Sequence, residues 1–152
     1  MSQKAQQNYL TASVDIEIPF HDCDPMNIVW HGHYAKYFEV ARCVLLNSFG
    51  YDYLEMEASG YSWPVVEMKT KYVASARFTQ VITVVASLVE YEHRLKIAYL
   101  ITDKQSGQKL TKGSTIQAAV DMKTNILQLE SPGILIERLK PHLASAGLNH
   151  VV

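Results

Sequence analysis

Residues 22–42 read DCDPMNIVWHGHYAKYFEVAR and hold a turn crowded with ionisable groups followed by the opening of the clearest helix in the chain. Between Gly32 and Gly50, apolar or aromatic residues fall at Tyr34, Tyr37, Phe38, Ala41, Val44, Leu45 and Phe49. That is the i, i+3, i+4, i+7 recurrence of an amphipathic helix. Val40, Cys43 and Leu46 widen the apolar stripe and leave Lys36, Glu39 and Arg42 a narrow polar side, so the helix is expected to be covered by protein on most sides. Gly50 is placed to stop it. A short second helix is expected within Tyr51 to Gly60.

Working outward, the flanking sequence is β. Val14, Ile16 and Ile18 alternate with Asp15 and Glu17 as in a half-buried strand, and the polar residues 1–12 before it are expected to fray. Downstream, Ser62 to Val73, Val81 to Tyr91, Arg94 to Ile101 and Lys109 to Asp121 read as strands. Lys104 to Gly107 forms a hairpin turn, and Gly113 marks a bulge or a close approach. Residues 132–146 are expected to start as a helix and end as a loose tail. One long apolar helix beside a mostly antiparallel sheet is an α+β layout, simplest as one sheet wrapped on one helix.

The chain has 152 residues, 48% of them hydrophobic and 19% charged, which suits a single packed domain over 1–152. A net charge of −1 removes the general electrostatic argument for nucleic acid as a partner. Two cysteines, Cys23 and Cys43, are too few for a disulfide framework and read as reduced thiols, the state expected in the cytoplasm. The opening MSQKAQQNYLTAS carries no apolar signal segment, and no window approaches the roughly 18 apolar residues of a membrane span.

Residues 20–34 concentrate two aspartates, three histidines and a thiol in a loop that leads into the long helix. A helix N-terminus offers unpaired backbone N–H groups and partial positive charge, able to hold an anion or the developing oxyanion of an attacked carbonyl. A carboxylate beside it can attack an acyl carbon or activate water. Physics alone makes this loop the candidate site of an acyl hydrolase.

The same stretch resembles the signature of the 4-hydroxybenzoyl-CoA thioesterase family and its acyl-CoA thioesterase relatives: D-x-D, an apolar pair with an aromatic, His or Tyr, then Y-x-x-Y-F-E-x-A-R. The likeness continues more thinly through Val66 to Arg77 and to Ala118–Asp121. It implies a hot-dog fold, a five-stranded antiparallel sheet wrapped around a long central helix. It implies an acyl-CoA substrate hydrolysed to free acid and CoA with no cofactor and no metal. It further implies a homodimer at minimum, commonly a tetramer, with active sites between subunits. Carried over residue by residue, Asp24 is the catalytic carboxylate, and the backbone N–H of His31 polarises the thioester carbonyl. Gly32 and Tyr34 adjoin the substrate, and Arg94 and Lys96, with Lys109 and Lys112, are candidates for the CoA phosphates. Phe20 stands where some relatives have tyrosine, and Ser75 to Gln80 lacks the Pro and acidic residue often found there, so substrate handling is expected to differ.

Blander readings compete at each position: Tyr34, Tyr37, Phe38, Trp63 and Tyr72 read as core or interface first and acyl-pocket lining second, and Arg94, Lys96, Lys109 and Lys112, each taken singly, read as a solvated sheet face. Asp24 before Pro25 is also a turn former. Asp22 reads as a structural residue that caps the turn or pairs with a cation. His31 and His33 could be half of a metal site, but residues two apart at a helix start point in different directions, and His33 and His21 read as surface or interface residues. Cys23 between two aspartates should have a raised thiol pKa and reads as packing. Glu39 is expected to pair with Arg42, and Lys36 to be solvated. Two rival functions remain open: a non-catalytic acyl-CoA-binding module, and a dehydratase, whose H-F-P motif is absent.

Overall fold

The structure, a computed structural model, describes residues 8–147. The elements run β1 (Leu10–Glu17), α1 (Tyr34–Ser48), α2 (Tyr53–Ala58), β2 (Tyr61–Ser62), β3 (Val65–Tyr72), β4 (Val81–Glu90), β5 (Leu95–Asp103), β6 (Lys109–Gln117), β7 (Val120–Asp121) and α3 (Gly133–Gly147). Five strands form one antiparallel sheet in the order β1-β4-β5-β6-β3, with β2 and β7 as a separate ribbon. This is the expected hot-dog arrangement, an α+β fold with one sheet against one long helix. Among the described residues, no helix is long and apolar enough to cross a membrane.

β1 starts at Leu10, so the fraying expected through residue 12 does not reach Leu10, Thr11 or Ala12, which pair with Leu88, Ser87 and Ala86 of β4. The rest of that expectation, at residues 1–7, lies outside the described residues, as do positions 148–152 at the other end. The expected strand through Asp121 stops at Gln117, and Val120–Asp121 turns away to pair with Tyr61–Ser62. The loose end expected within residues 132–146 is instead helix, since α3 spans Gly133–Gly147 with Pro141 inside it, and it packs Leu135 and Leu139 into the core.

α1 lies on the inner face of the sheet because its wide apolar stripe has no other cover. Tyr37, Phe38, Ala41, Leu45 and Leu46 are buried against Ile82, Val84 and Leu88 of β4 and Leu95, Ile97 and Ile101 of β5. Each such large side chain contributes about 1.5–3 kcal/mol on burial. Gly113 of β6 proves to be a close approach and not a bulge, with Thr70 and Tyr99 in continuous register on either side. A Cβ there would stand 2.5 Å from the Phe38 ring, which is itself stacked on Tyr99.

Arg42 departs from the expected pairing with Glu39. It is buried, its Nε donating to the Tyr53 hydroxyl at 2.7 Å and its Nη1 to the Tyr99 hydroxyl at 3.4 Å. The reason is the width of the apolar stripe: position 42 rolls under the helix toward β5 and α2, where two phenols offer oxygens that solvent-facing Glu39 does not.

Candidate active site

The segment between β1 and α1 folds back on itself as a miniature hairpin. Cys23 bridges Val29, the Asp24 amide donates to the Ile28 carbonyl at 2.8 Å, and the Asn27 amide donates to the Asp24 carbonyl at 2.9 Å. Pro25 presets the second position of this turn, and Asn27 adopts φ 63, a left-handed conformation that asparagine tolerates better than most residues. The turn and the catalytic readings of Asp24 are therefore compatible. Its Oδ1 accepts from the Met26 amide at 2.8 Å and the Ile28 amide at 3.4 Å, while Oδ2 has no hydrogen-bond partner among the described residues. One oxygen is anchored and the other is left unbonded.

That carboxylate shares a cleft of about 200 Å³ with Ile28, Val29, His31, Tyr34, Tyr72, Ala74 and Ser75. His31–His33 forms a tight 3-10 turn that runs into α1, and neither turn nor helix receives a side-chain cap. The His33 amide donates to the Trp30 carbonyl, whereas the His31 and Gly32 amides have no acceptor among the described residues. The long helix thus begins at Tyr34, two residues after Gly32, with open amides at its mouth. The Tyr72 hydroxyl donates to the His31 carbonyl at 2.8 Å and ties the end of β3 to this turn.

The other sequence candidates divide. The Trp30 ring lies flush over Gly32, where a Cβ would sit 2.0 Å from the ring, and it is flanked by the imidazoles of His31 and His33. Tyr34 lines the cleft with its ring, but its hydroxyl is committed, accepting from the Ala76 amide at 3.1 Å, and burial pushes its pKa up. Arg94 and Lys96 are not brought to Asp24 within one chain. Arg94 pairs with Glu90 in the β4–β5 turn, and Lys96 lies about 17 Å along β5 from Ile101, the residue level with Thr111 and Tyr72. Lys112 faces Lys71 across the β3–β6 ladder on the outer side of the sheet, where both line a groove with Lys69.

Lys36 is not simply solvated, because its Nζ reaches Asp22 Oδ1 at 2.6 Å. Asp22, 1% exposed, also accepts from the Tyr37 hydroxyl at 2.7 Å and so pairs with a cation as expected of a structural aspartate. Burial alone would raise the Asp22 pKa, but hydrogen bonds from Lys36 and Tyr37 and the nearby positive charge hold it below the ordinary carboxylate range. Burial first, then Asp22 and Asp24, pushes the Cys23 thiol up, so it is not a poised nucleophile. Ser75 is a cleft residue that the sequence did not single out; Tyr72, read as core or interface first and pocket lining second, does line the cleft, although the sequence did not show that its strand end meets the helix start.

A sheet wrapped on one helix, with a half-free carboxylate across a cleft from the helix mouth, defines a thioester hydrolase of the hot-dog fold. The chain belongs to the thioesterase-like superfamily, whose family model matches residues 18–146. It is 26% identical over 125 residues to sll0410 of Synechocystis, assigned as an esterase, covering 82% of this chain and 75% of that one. It is 31% identical over 85 residues to YneP of Bacillus subtilis, assigned as an acyl-CoA thioesterase, covering 56% of this chain and 61% of that one. Among solved structures, the DHNA-CoA thioesterase of Staphylococcus aureus superposes with a TM-score of 0.73 at 26% identity, covering 91% of this chain and 89% of that one.

Proposed function

We propose that the protein hydrolyses an acyl-CoA thioester to the free acid and CoA, with Asp24 as the catalytic carboxylate and the amides at His31 and Gly32 as the electrophilic partner. The single observation that carries this reading is that the unbonded Oδ2 of Asp24 and the uncapped opening of α1 belong to one cleft. The thioester carbonyl oxygen lies at the open amides, which gain strength as charge builds on it in the tetrahedral intermediate; one such donor is worth about 10²–10³ in rate. Asp24 Oδ2 meets the carbonyl carbon directly, or deprotonates a water that does so. In the first case the C–S bond breaks, CoA leaves as the thiolate, and water then cleaves the mixed anhydride to restore Asp24.

The cleft lies at the Tyr72 end of β3, one of the two edge strands of the sheet. Val65, Val66, Met68, Tyr72 and Val73 are all exposed there, a long apolar edge of the kind that proteins cover. A second copy pairing antiparallel along β3 covers it and sets the start of one copy's β3 beside the Tyr72 end of the other. The working unit is therefore a homodimer or a tetramer built on it, with each cleft completed by a partner chain.

Asp24→Asn tests the chemistry. Release of CoA thiol from a panel of aromatic and aliphatic CoA thioesters should fall by about two orders of magnitude or more, the scale of a positioned base. No turnover of any thioester by the unaltered protein would favour a binding module.

A further inference from the structure

The proposed chemistry uses Asp24 and leaves unexplained a second, deeper carboxylate two residues away. Asp22 is 1% exposed, and both of its oxygens are engaged, Oδ1 with Lys36 Nζ at 2.6 Å and Oδ2 with Tyr37 Oη at 2.7 Å. His21 Nε2 stands 3.6 Å from Oδ1. Its backbone is engaged as well: the carbonyl accepts from the Trp30 amide at 3.0 Å, which closes the base of the hairpin that carries Asp24 at its tip. Lys36 and Tyr37 belong to the first turn of α1, which follows directly on the His31–His33 turn that presents the open amides. One side chain therefore links the hairpin bearing the carboxylate to the helix bearing its electrophilic partner. A separate tie, from the Val29 amide to the Ala76 carbonyl and from Ile28 to Arg77, runs to the segment after β3 and not to α1.

Asp22 is buried while its partner Lys36 is half-exposed, and a partly buried ion pair of this kind adds little net stability, so holding one here argues for a geometric purpose. The geometry is directional. A carboxylate with two different donors on adjacent helical residues admits one orientation of the hairpin against α1, whereas an apolar contact would let it slide. We infer that Asp22, clamped by Lys36 and Tyr37, is a positioning residue that fixes the distance between the Asp24 carboxylate and the amides opening α1. This inference rests on the thioesterase reading.

Its effect belongs in turnover and not in binding, because it sets where the reacting groups stand once substrate is held; a displacement of about 1 Å costs on the order of a hundredfold. Asp22→Asn keeps the shape and one hydrogen bond but loses the ion pair. Lys36→Met removes the cation from a side chain that is 47% exposed, so folding survives even where Asp22→Asn fails to fold. Lys36→Arg restores a cation.

The experiment measures kcat and KM for hydrolysis of CoA thioesters beside thermal melting. Expected is a fall of about ten- to a hundredfold in kcat for Asp22→Asn and Lys36→Met, with KM within about threefold of the parent and recovery of most of kcat in Lys36→Arg. Unchanged kcat in folded Lys36→Met overturns the inference, as does a loss carried by KM or an equal loss in Lys36→Arg. Asp24→Asn, run alongside, separates the two levels: if it is inactive while Lys36→Met is normal, only the positioning role fails, and if it keeps full turnover, the thioesterase assignment of Asp24 fails with it.

Discussion

The Tyr72 hydroxyl donates to the backbone carbonyl of His31 at 2.8 Å, although 41 positions separate them in sequence. This bond fixes the peptide at the mouth of α1 from the side of the sheet edge, while the Tyr72 ring packs edge-on to Tyr34 at 5.3 Å. Tyr72→Phe keeps the ring and removes the bond. We expect kcat to fall about fivefold, the scale of one hydrogen bond of roughly 1 kcal/mol, with little change in the melting temperature. A variant with the parent's kcat would show that the His31 peptide is held by other contacts.

Gly113 makes room for the Phe38 ring of α1 against the sheet. A Cβ at this position would meet Phe38 Cζ at 2.5 Å and the Lys69 carbonyl oxygen at 2.8 Å, and the backbone oxygen cannot swing aside as a flexible side chain can. Gly113→Ala should destabilise the fold by about 1–3 kcal/mol through overpacking. Denaturant unfolding measures this directly, and an unchanged midpoint would mean that Phe38 repacks freely.

The Asp22 clamp has a pH signature. Burial raises its carboxyl pKa, but the Lys36 and Tyr37 hydrogen bonds outweigh burial and hold the folded value below the unfolded one. The folded state therefore binds fewer protons at this site. The stabilisation is complete above the unfolded pKa of about 4 and is lost as the pH falls through the folded value. The stability difference between the parent and Asp22→Asn should be flat from neutral pH to about pH 5 and should shrink below about pH 4. A difference that grows on acidification would reverse the sign of the coupling.

The open edge at β3 predicts self-association. Charging it with the double variant Val66→Lys and Met68→Lys, at positions 57% and 48% exposed, should leave the fold intact and shift the sedimenting species toward monomer. In the proposed dimer a partner chain completes each cleft, so turnover should fall with the oligomer. An unaltered protein that sediments as an active monomer at all concentrations would remove the second copy from the site.

Much of this was legible in residues 22–42. The spacing of Tyr34, Tyr37, Phe38, Ala41 and Leu45 located the buried helix because a helical stripe repeats within a few residues. The place of Asp24 in a turn was legible because turn chemistry is local, whereas its choice as the candidate carboxylate came from the family resemblance. What stayed hidden depends on contacts between distant positions. The Lys36–Asp22 pair spans a hairpin that the sequence does not announce, and Arg42 meets Tyr99 across 57 residues. Lys96 shares β5 with residues level with the cleft and Arg94 lies just before that strand, but only the register reveals that both stand at its far end.

How Asp24 acts can be read from oxygen isotopes. A single turnover in ¹⁸O-labelled water should place label in the Asp24 carboxylate if it attacks the carbonyl, and only in the released acid if it activates water.

Whether Asp24 acts at all is decided by the steady-state turnover of Asp24→Asn, an isosteric change that keeps the turn and removes the charge. With the fold verified by melting, CoA release should fall by about two orders of magnitude or more at saturating thioester. Turnover within a few-fold of the parent would contradict the assignment, however well that side chain sits beside the open amides of α1.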